Sequence, residues 1–163
     1  MGVSKIQKRT PSLVFLAGRY VTQRLIKELS PDLLFHNLNH TMNVVRGIRE
    51  ITKYIKVNRA QKEILLLAGW FHDTGLIYCY KGHEQVSQRL ASDFLTLHHY
   101  PVKKIEAVVS CIHATQMPQA PTTLLEQIIC DADLYHLSLP EYGHLQQLLL
   151  EEWRRVLKKQ CTD

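Results

Sequence analysis

Apolar positions recur at helical spacing along almost the whole chain, and no convincing pair of alternating strand patterns is present. The pattern predicts a first helix from residue 11 to about 29, with Pro11 suited to a first turn and Ser30-Pro31-Asp32 as its stop. Leu33-Leu34-Phe35-His36-Asn37-Leu38-Asn39-His40 leads into a second helix ending near Lys56, on which Val44, Val45, Ile48, Ile51 and Ile55 form one stripe. Asn58 is placed to cap a third helix, which carries His72 and Asp73 at its end. After a loop from Gly75 to Gly82, a fourth helix starts near His83 and holds Val86, Leu90, Phe94 and Leu97. Pro101 opens a fifth, through Ile105, Val108, Val109 and Ile112 to His113. Thr122 or Thr123 can cap a short sixth helix, residues 124 to 131, and an amphipathic seventh runs from about 141 to 159. Seven helices without strands imply an all-α fold, expected as a single compact domain over residues 1–163.

One stretch breaks its own pattern. Leu66-Leu67-Ala68-Gly69-Trp70-Phe71 is an apolar helix that finishes on His72-Asp73, followed by Thr74-Gly75-Leu76. Packing gives no reason for an imidazole and a carboxylate there. A buried metal does, because a coordinated carboxylate is neutralised by its ion. The alternative is a C-terminal cap, with His72 meeting the helix dipole and Gly75 as a left-handed stop. Other ligand-type residues also interrupt apolar segments: His40 one turn after His36, His83 opening the fourth helix, His113 closing the fifth, and Asp131 within Ile128-Ile129-Cys130-Asp131-Ala132-Asp133-Leu134. Buried singly and unsatisfied, each would cost about 1–3 kcal/mol, whereas a shared cation satisfies them together.

Composition narrows the field. With 45% hydrophobic and 21% charged residues the chain reads as an ordered globular protein. No apolar run is long enough to span a bilayer, so no membrane partner is expected. The first nine residues lack a secretory signal, and Gly2 is not followed by the hydroxyl residue of a myristoylation site. Cys79, Cys111, Cys130 and Cys161 form no Cys-x-x-Cys pair and are expected to be reduced thiols in a cytoplasmic protein. The net charge of +5 is dispersed over Lys5, Lys8, Arg9, Lys53, Lys56, Arg59, Lys103, Lys104, Arg154, Arg155, Lys158 and Lys159. No basic stripe alternates with aromatics, so nucleic acid is not an expected partner, whereas the charge suits a phosphate-bearing small molecule. Trp70 and Trp153 read as core aromatics. The last helix, with Leu145, Leu148, Leu149, Val156 and Leu157, is free to pack on the domain or in a homodimer.

The order His40, His72-Asp73, Asp131 resembles the HD superfamily of metal-dependent phosphohydrolases, over residues 35 to 137. Phe35-His36-Asn37-Leu38-Asn39-His40 looks like the aromatic-His-Asn-x-x-His segment also seen in cyclic-nucleotide phosphodiesterases. Phe71-His72-Asp73-Thr74-Gly75 looks like the name-giving motif, and Cys130-Asp131-Ala132-Asp133-Leu134 like the closing Asp-Ala-Asp segment, whose first Asp is the ligand. The resemblance implies an all-α fold with a first metal held by His40, His72, Asp73 and Asp131. It implies that Asp73 bridges to a second metal completed by His83 and His113, and that His36 is a general acid at the leaving oxygen. One or two divalent ions of Fe, Mn, Ni or Zn suit this donor set. Such an ion lowers the pKa of bound water towards about 7. The substrate is then a nucleotide or small phosphoester.

Glu84 and Asp133 are expected either to orient imidazoles or to serve as a first-turn acid and a turn residue. Lys81, Arg89 and Lys104 are expected at solvated surfaces. Leu76 stands where the bacterial 5′-nucleotidase branch has Glu, and the Lys and Gly-Tyr-Pro of the cyclic-di-GMP branch are absent, so neither specific activity is expected. Two other outcomes are consistent with the resemblance: a mixed-valence di-iron oxygenase using the same six-ligand order, and a non-catalytic, metal-stabilised nucleotide-binding module.

Overall fold

The computed structural model describes residues 11–160, with side chains up to Val156. The expectations for Lys5, Lys8, Arg9, Cys161 and the N-terminal segment, and for the side chains of Leu157, Lys158 and Lys159, fall outside the described residues. Among the described residues there are seven α-helices: α1 (Leu13–Glu28), α2 (Leu38–Tyr54), α3 (Arg59–Phe71), α4 (His83–Leu97), α5 (Val102–Ala114), α6 (Leu124–Asp133) and α7 (Tyr142–Gln160). Short 3₁₀ turns follow α3, at Thr74–Ile77, and α6, at Leu134–Ser138. Among the described residues there is no strand, and no helix is long and apolar enough to cross a membrane.

Polar side chains mark the helix starts. Ser12 accepts from the Phe15 amide and begins α1. Asn58 and Gln61 form a reciprocal capping box on α3, as do Thr123 and Glu126 on α6, each satisfying two otherwise orphaned donors. Asn37 caps α2, so His36 lies in the preceding loop and not one helical turn before His40. Gly82, at φ 75°, begins α4 in the left-handed region that glycine adopts without strain.

Helix α3 runs through the middle and packs on α1, α2, α4, α5 and α6. Its Leu65, Leu67, Ala68 and Phe71 are wholly buried, because a helix surrounded on most sides needs apolar residues around most of its circumference. Val21, Ile48, Leu95, Ile112 and Ile129 close the core around it. Truncating one such large side chain to Ala costs about 2–5 kcal/mol.

Helices α2 and α6 approach closely at Gly47, where a Cβ would meet Tyr135 Cβ at 2.8 Å and the Ala132 backbone at 3.3 Å. That approach brings the N-terminal part of α2, with His40, alongside the C-terminal end of α6. Helix α7 lies against the Leu134–Ser138 turn and reaches back to the 30–37 loop, where Glu152 is fully buried. Leu149 and Trp153 on α7 line a cleft, and Trp153 is 45% exposed, not the core aromatic its sequence context suggests. Trp70 packs its indole over Gly18 of α1 and is half-buried.

Candidate metal centre

The end of α3 supplies two inward-facing groups. His72 caps the C-terminus of α3, one residue past Phe71, and is wholly buried. Its Nδ1 lies 3.0 Å from Gly69 O, a carbonyl that can only accept, so Nδ1 carries the proton and the neutral ring turns the Nε2 lone pair inward. Asp73 follows in the sparsely populated bridge region at φ −104°, ψ 4°, where many active-site residues sit. The chain then enters the Thr74–Ile77 turn.

Gly75 is not the left-handed stop considered from the sequence, since Gly82 holds the one positive glycine φ among the described residues. What Gly75 provides is room. A Cβ there would fall 2.0 Å from His83 O and 2.9 Å from the Ser87 amide, and its own amide donates to Ser87 Oγ at 2.8 Å. The absent side chain lets the first turn of α4, with His83, lie directly on the His72-Asp73 corner.

Four side chains converge. His40 Nε2 lies 3.3 Å from His72 Nε2, 3.1 Å from Asp133 Oδ1 and 3.4 Å from Asp73 Oδ2. His72 Nε2 lies 3.2 Å from Asp73 Oδ2 and 3.5 Å from Asp133 Oδ1. Asp73 turns its other oxygen towards α4, with Oδ1 3.3 Å from His83 Nε2. His83 Nδ1 donates to Tyr80 O at 2.8 Å, which again leaves the neutral ring's Nε2 as an acceptor facing a carboxylate.

Acceptors opposed at this range need a proton or a cation between them, and the buried Asp73 Oδ2 has no hydrogen-bond partner. Ligands about 2.1 Å from a transition ion sit roughly 3.0–3.4 Å from one another, depending on geometry, close to the 3.1–3.5 Å that separate His40 and His72 from each other and from the two carboxylates. The donor set therefore fits a divalent transition metal. His40, His72 and Asp133 are a group that could hold one.

The local electrostatics points the same way. Burial alone would push the Asp73 carboxyl up, but His72 and His83 hold it well below the usual range. Asp133 is lowered against the same burial by His40 and His72. Burial would lower His72, yet Asp73 and Asp133 raise it well above an ordinary imidazole, and Asp73 raises His83 likewise. The field inside the cluster favours positive charge.

Two sequence-based ligand assignments are corrected. Asp131 is exposed on α6, and Asp133 takes its place in the cluster. Two residues apart on a helix differ by roughly 200°, so only one of the pair can face the site. Asp133, four residues after the buried Ile129, shares its side. His113 is exposed on α5, where Ile105, Val108 and Ile112 form the inward stripe and His113 lies one position, roughly 100°, round the helix from Ile112. His40, His72, Asp73 and His83 are brought together as expected.

His36 stands on the wall of the same cleft, its ring 5.5 Å from that of His40. Its Nδ1 lies 2.5 Å from Glu152 Oε1, and burial, which would lower His36, is outweighed by Glu152 so that the ring is raised. The cleft holds about 700 Å³, with Phe35, Leu76, Met117, Leu134, Leu149 and Trp153 as apolar lining and Lys81, Glu84 and Gln116 as polar groups. Lys81 and Glu84 thus border the cleft, whereas Arg89 is exposed and Lys104 stacks on Tyr100. His136 is buried and donates from Nδ1 to Asp133 O, a core contact beside the cluster. Cys111 and Cys130 are buried, and burial pushes their thiols up to about 12 and about 11, so they are inert.

A family model for the HD domain matches residues 37–138, more than half of the chain. The chain belongs to the HD-domain family. Members of that family are mostly metal-dependent phosphohydrolases. No curated protein and no solved structure matches the chain. The match ends before α7, so Glu152, Leu149 and Trp153 lie outside the HD segment. The sequence carried no signal for Glu152, an acid within a run of charged helix residues, Glu151-Glu152-Trp153-Arg154-Arg155.

Proposed function

We propose that this protein is a metal-dependent phosphohydrolase acting on small phosphoesters that carry one phosphate and a flat or apolar organic group, with nucleoside monophosphates as the first candidates. The supporting observation is the convergence of His40, His72, Asp73 and Asp133 in a cleft that His36 also lines. These four residues would hold one divalent transition ion. Asp73 Oδ1 and His83 Nε2 offer a second position, to which the exposed His113 adds nothing. When bound, such an ion supplies a water of lowered pKa and polarises a phosphoryl oxygen.

The chain's own groups do the rest. His72 and His83 are kept in the correct tautomer by Gly69 O and Tyr80 O. The Nδ1 of His36 is engaged by Glu152, which leaves Nε2 to give a proton to the leaving oxygen. Among the described residues Lys81 is the only Lys or Arg lining the cleft, and Glu84 stands beside it, a balance that favours one phosphate over a polyphosphate. The apolar wall of Phe35, Leu134, Leu149 and Trp153 suits a base or another flat group, within a volume typical of small-molecule sites.

The di-iron oxygenase alternative draws on a six-ligand set that includes His113, and the exposure of that residue favours hydrolysis. The test is an anaerobic assay of the chain loaded with Mn, Fe, Ni or Zn against nucleoside mono-, di- and triphosphates and a generic phosphodiester. Turnover without O₂, fastest on monophosphates and lost in His72→Ala and Asp73→Ala, is the expected result. Equal activity in both variants contradicts the proposal, and tight nucleotide binding without turnover makes the chain a binding module instead.

A further inference from the structure

Glu152 is a carboxylate with no exposed surface, on a helix beyond the HD segment. Burying a charge is costly unless every lone pair is engaged, and here they are. Oε2 accepts the backbone amides of Phe35 at 2.8 Å and His36 at 3.0 Å. Oε1 meets His36 Nδ1 at 2.5 Å and accepts from the Tyr80 hydroxyl at 3.2 Å. Opposed to the desolvation that would raise it, these partners keep the carboxyl below its ordinary value. The same carboxylate therefore holds the loop that carries His36, the His36 ring itself, and Tyr80 in the segment before α4. Tyr80 O in turn holds His83. No packing requirement demands a charge at this position.

We infer that Glu152 is a positioning residue for the reaction: it fixes the proton of His36 on Nδ1, aims Nε2 at the substrate's leaving oxygen and stabilises the imidazolium that delivers the proton. Helix α7 thus completes the active site. This role rests on the reading of the cleft as a phosphohydrolase site with His36 as its acid. In the step, the oxygen of a water bonds to phosphorus and its proton is released to solvent. The bond from phosphorus to the leaving oxygen breaks, and that oxygen takes the Nε2 proton of His36. The imidazole regains a proton from solvent, so the cycle closes without a further reactant.

The chemistry of the carboxamide makes Glu152→Gln an informative variant. Its oxygen is required by the Phe35 and His36 amides, since an NH₂ there would set donor against donor. The NH₂ must then face His36 Nδ1, which becomes an acceptor and moves the ring proton to Nε2. A ring fixed in this way cannot become an imidazolium without setting donor against donor again.

The experiment compares the metal-loaded full chain and its Glu152→Gln variant on two phosphoesters, one with an alkyl leaving group and one with a nitrophenyl leaving group that departs without protonation. It also records ¹⁵N spectra of His36. The expected result is a kcat lower by roughly 100-fold on the alkyl ester and little changed on the nitrophenyl ester, with KM and metal content kept. The neutral His36 ring, recorded at a pH where it is deprotonated, is expected to keep its proton on Nδ1 in the parent and on Nε2 in the variant. Equal losses on both esters, or loss of metal, make Glu152 a structural residue and overturn the inference; so does an unchanged kcat on the alkyl ester. If the parent cleaves neither ester, the hydrolase reading fails by itself, and a neutral His36 ring that carries its proton on Nε2 alone in the parent overturns the positioning role separately. Glu152→Asp, one methylene shorter with its charge kept, is expected to recover part of the alkyl-ester rate.

Discussion

The Nε2 atoms of His40 and His72 lie 3.3 Å apart although the residues are 32 positions apart in the chain. With His72 Nδ1–H committed to Gly69 O, the His72 lone pair faces its neighbour, and Asp73 Oδ2 and Asp133 Oδ1 face both. Buried acceptors gathered at this spacing are a folding liability that a cation relieves. A divalent transition ion at about 100 times its dissociation constant should add about 2.7 kcal/mol of stability, and for a chain of this size that raises Tm by roughly 5–10 °C. Thermal scans with and without a chelator measure it. The shift should be absent in His72→Ala, and a chelator-insensitive Tm in the parent chain would contradict the metal reading.

Gly75→Ala should fail at the corner that joins α3 to α4. The added Cβ meets backbone, His83 O at 2.0 Å, and no side-chain rotation relieves that contact. Strain of this kind costs about 1–3 kcal/mol or more. It also displaces His83 from Asp73 Oδ1. Denaturant unfolding should show the loss, and a variant as stable as the parent would mean that α4 is seated differently.

Glu126 gives a pH-dependent prediction remote from the cleft. Ser110 Oγ donates to its Oε1 at 2.6 Å, while the Thr122 and Thr123 amides and the Thr122 hydroxyl donate to Oε2. Led by the Ser110 bond, these hold the carboxyl down at about 2, against an unperturbed 4.5. A depressed folded-state value means stability that is present above the unfolded value and is lost as pH falls from about 4.5 towards 2. Glu126→Gln should cost about 1–3 kcal/mol at pH 7, and the gap to the parent should narrow below pH 4.5. Urea unfolding across that range checks it, and a gap independent of pH would contradict the assignment.

The helices and most of the cluster were legible in the sequence because they follow from local rules. Periodicity places α1 to α7, Asn58 and the Thr122-Thr123 pair announce their own helices, and a His-Asp pair ending the apolar α3 has no packing explanation. The failures share one cause, the rotation of a side chain about its helix. Asp131 and Asp133 are both acids in one apolar run, and only the face shared with Ile129 separates them. His113 follows an apolar run too, but one step round the helix from the stripe that faces the core. Glu152 was illegible for another reason: its partners, Phe35 and His36, are more than 110 positions away, and nothing in its own neighbourhood distinguishes it from a solvated helix acid. Gly75 was noticed for the wrong property, because close approach between two segments leaves no mark in one of them alone.

Metal content per chain after loading and desalting, compared among the parent, Asp131→Asn and Asp133→Asn, tests the central claim most directly. Asp131→Asn should retain the parent's metal, and His113→Ala, run as a control, should do the same, while Asp133→Asn should lose most of it. Retention by Asp133→Asn together with loss in Asp131→Asn would contradict the site described here.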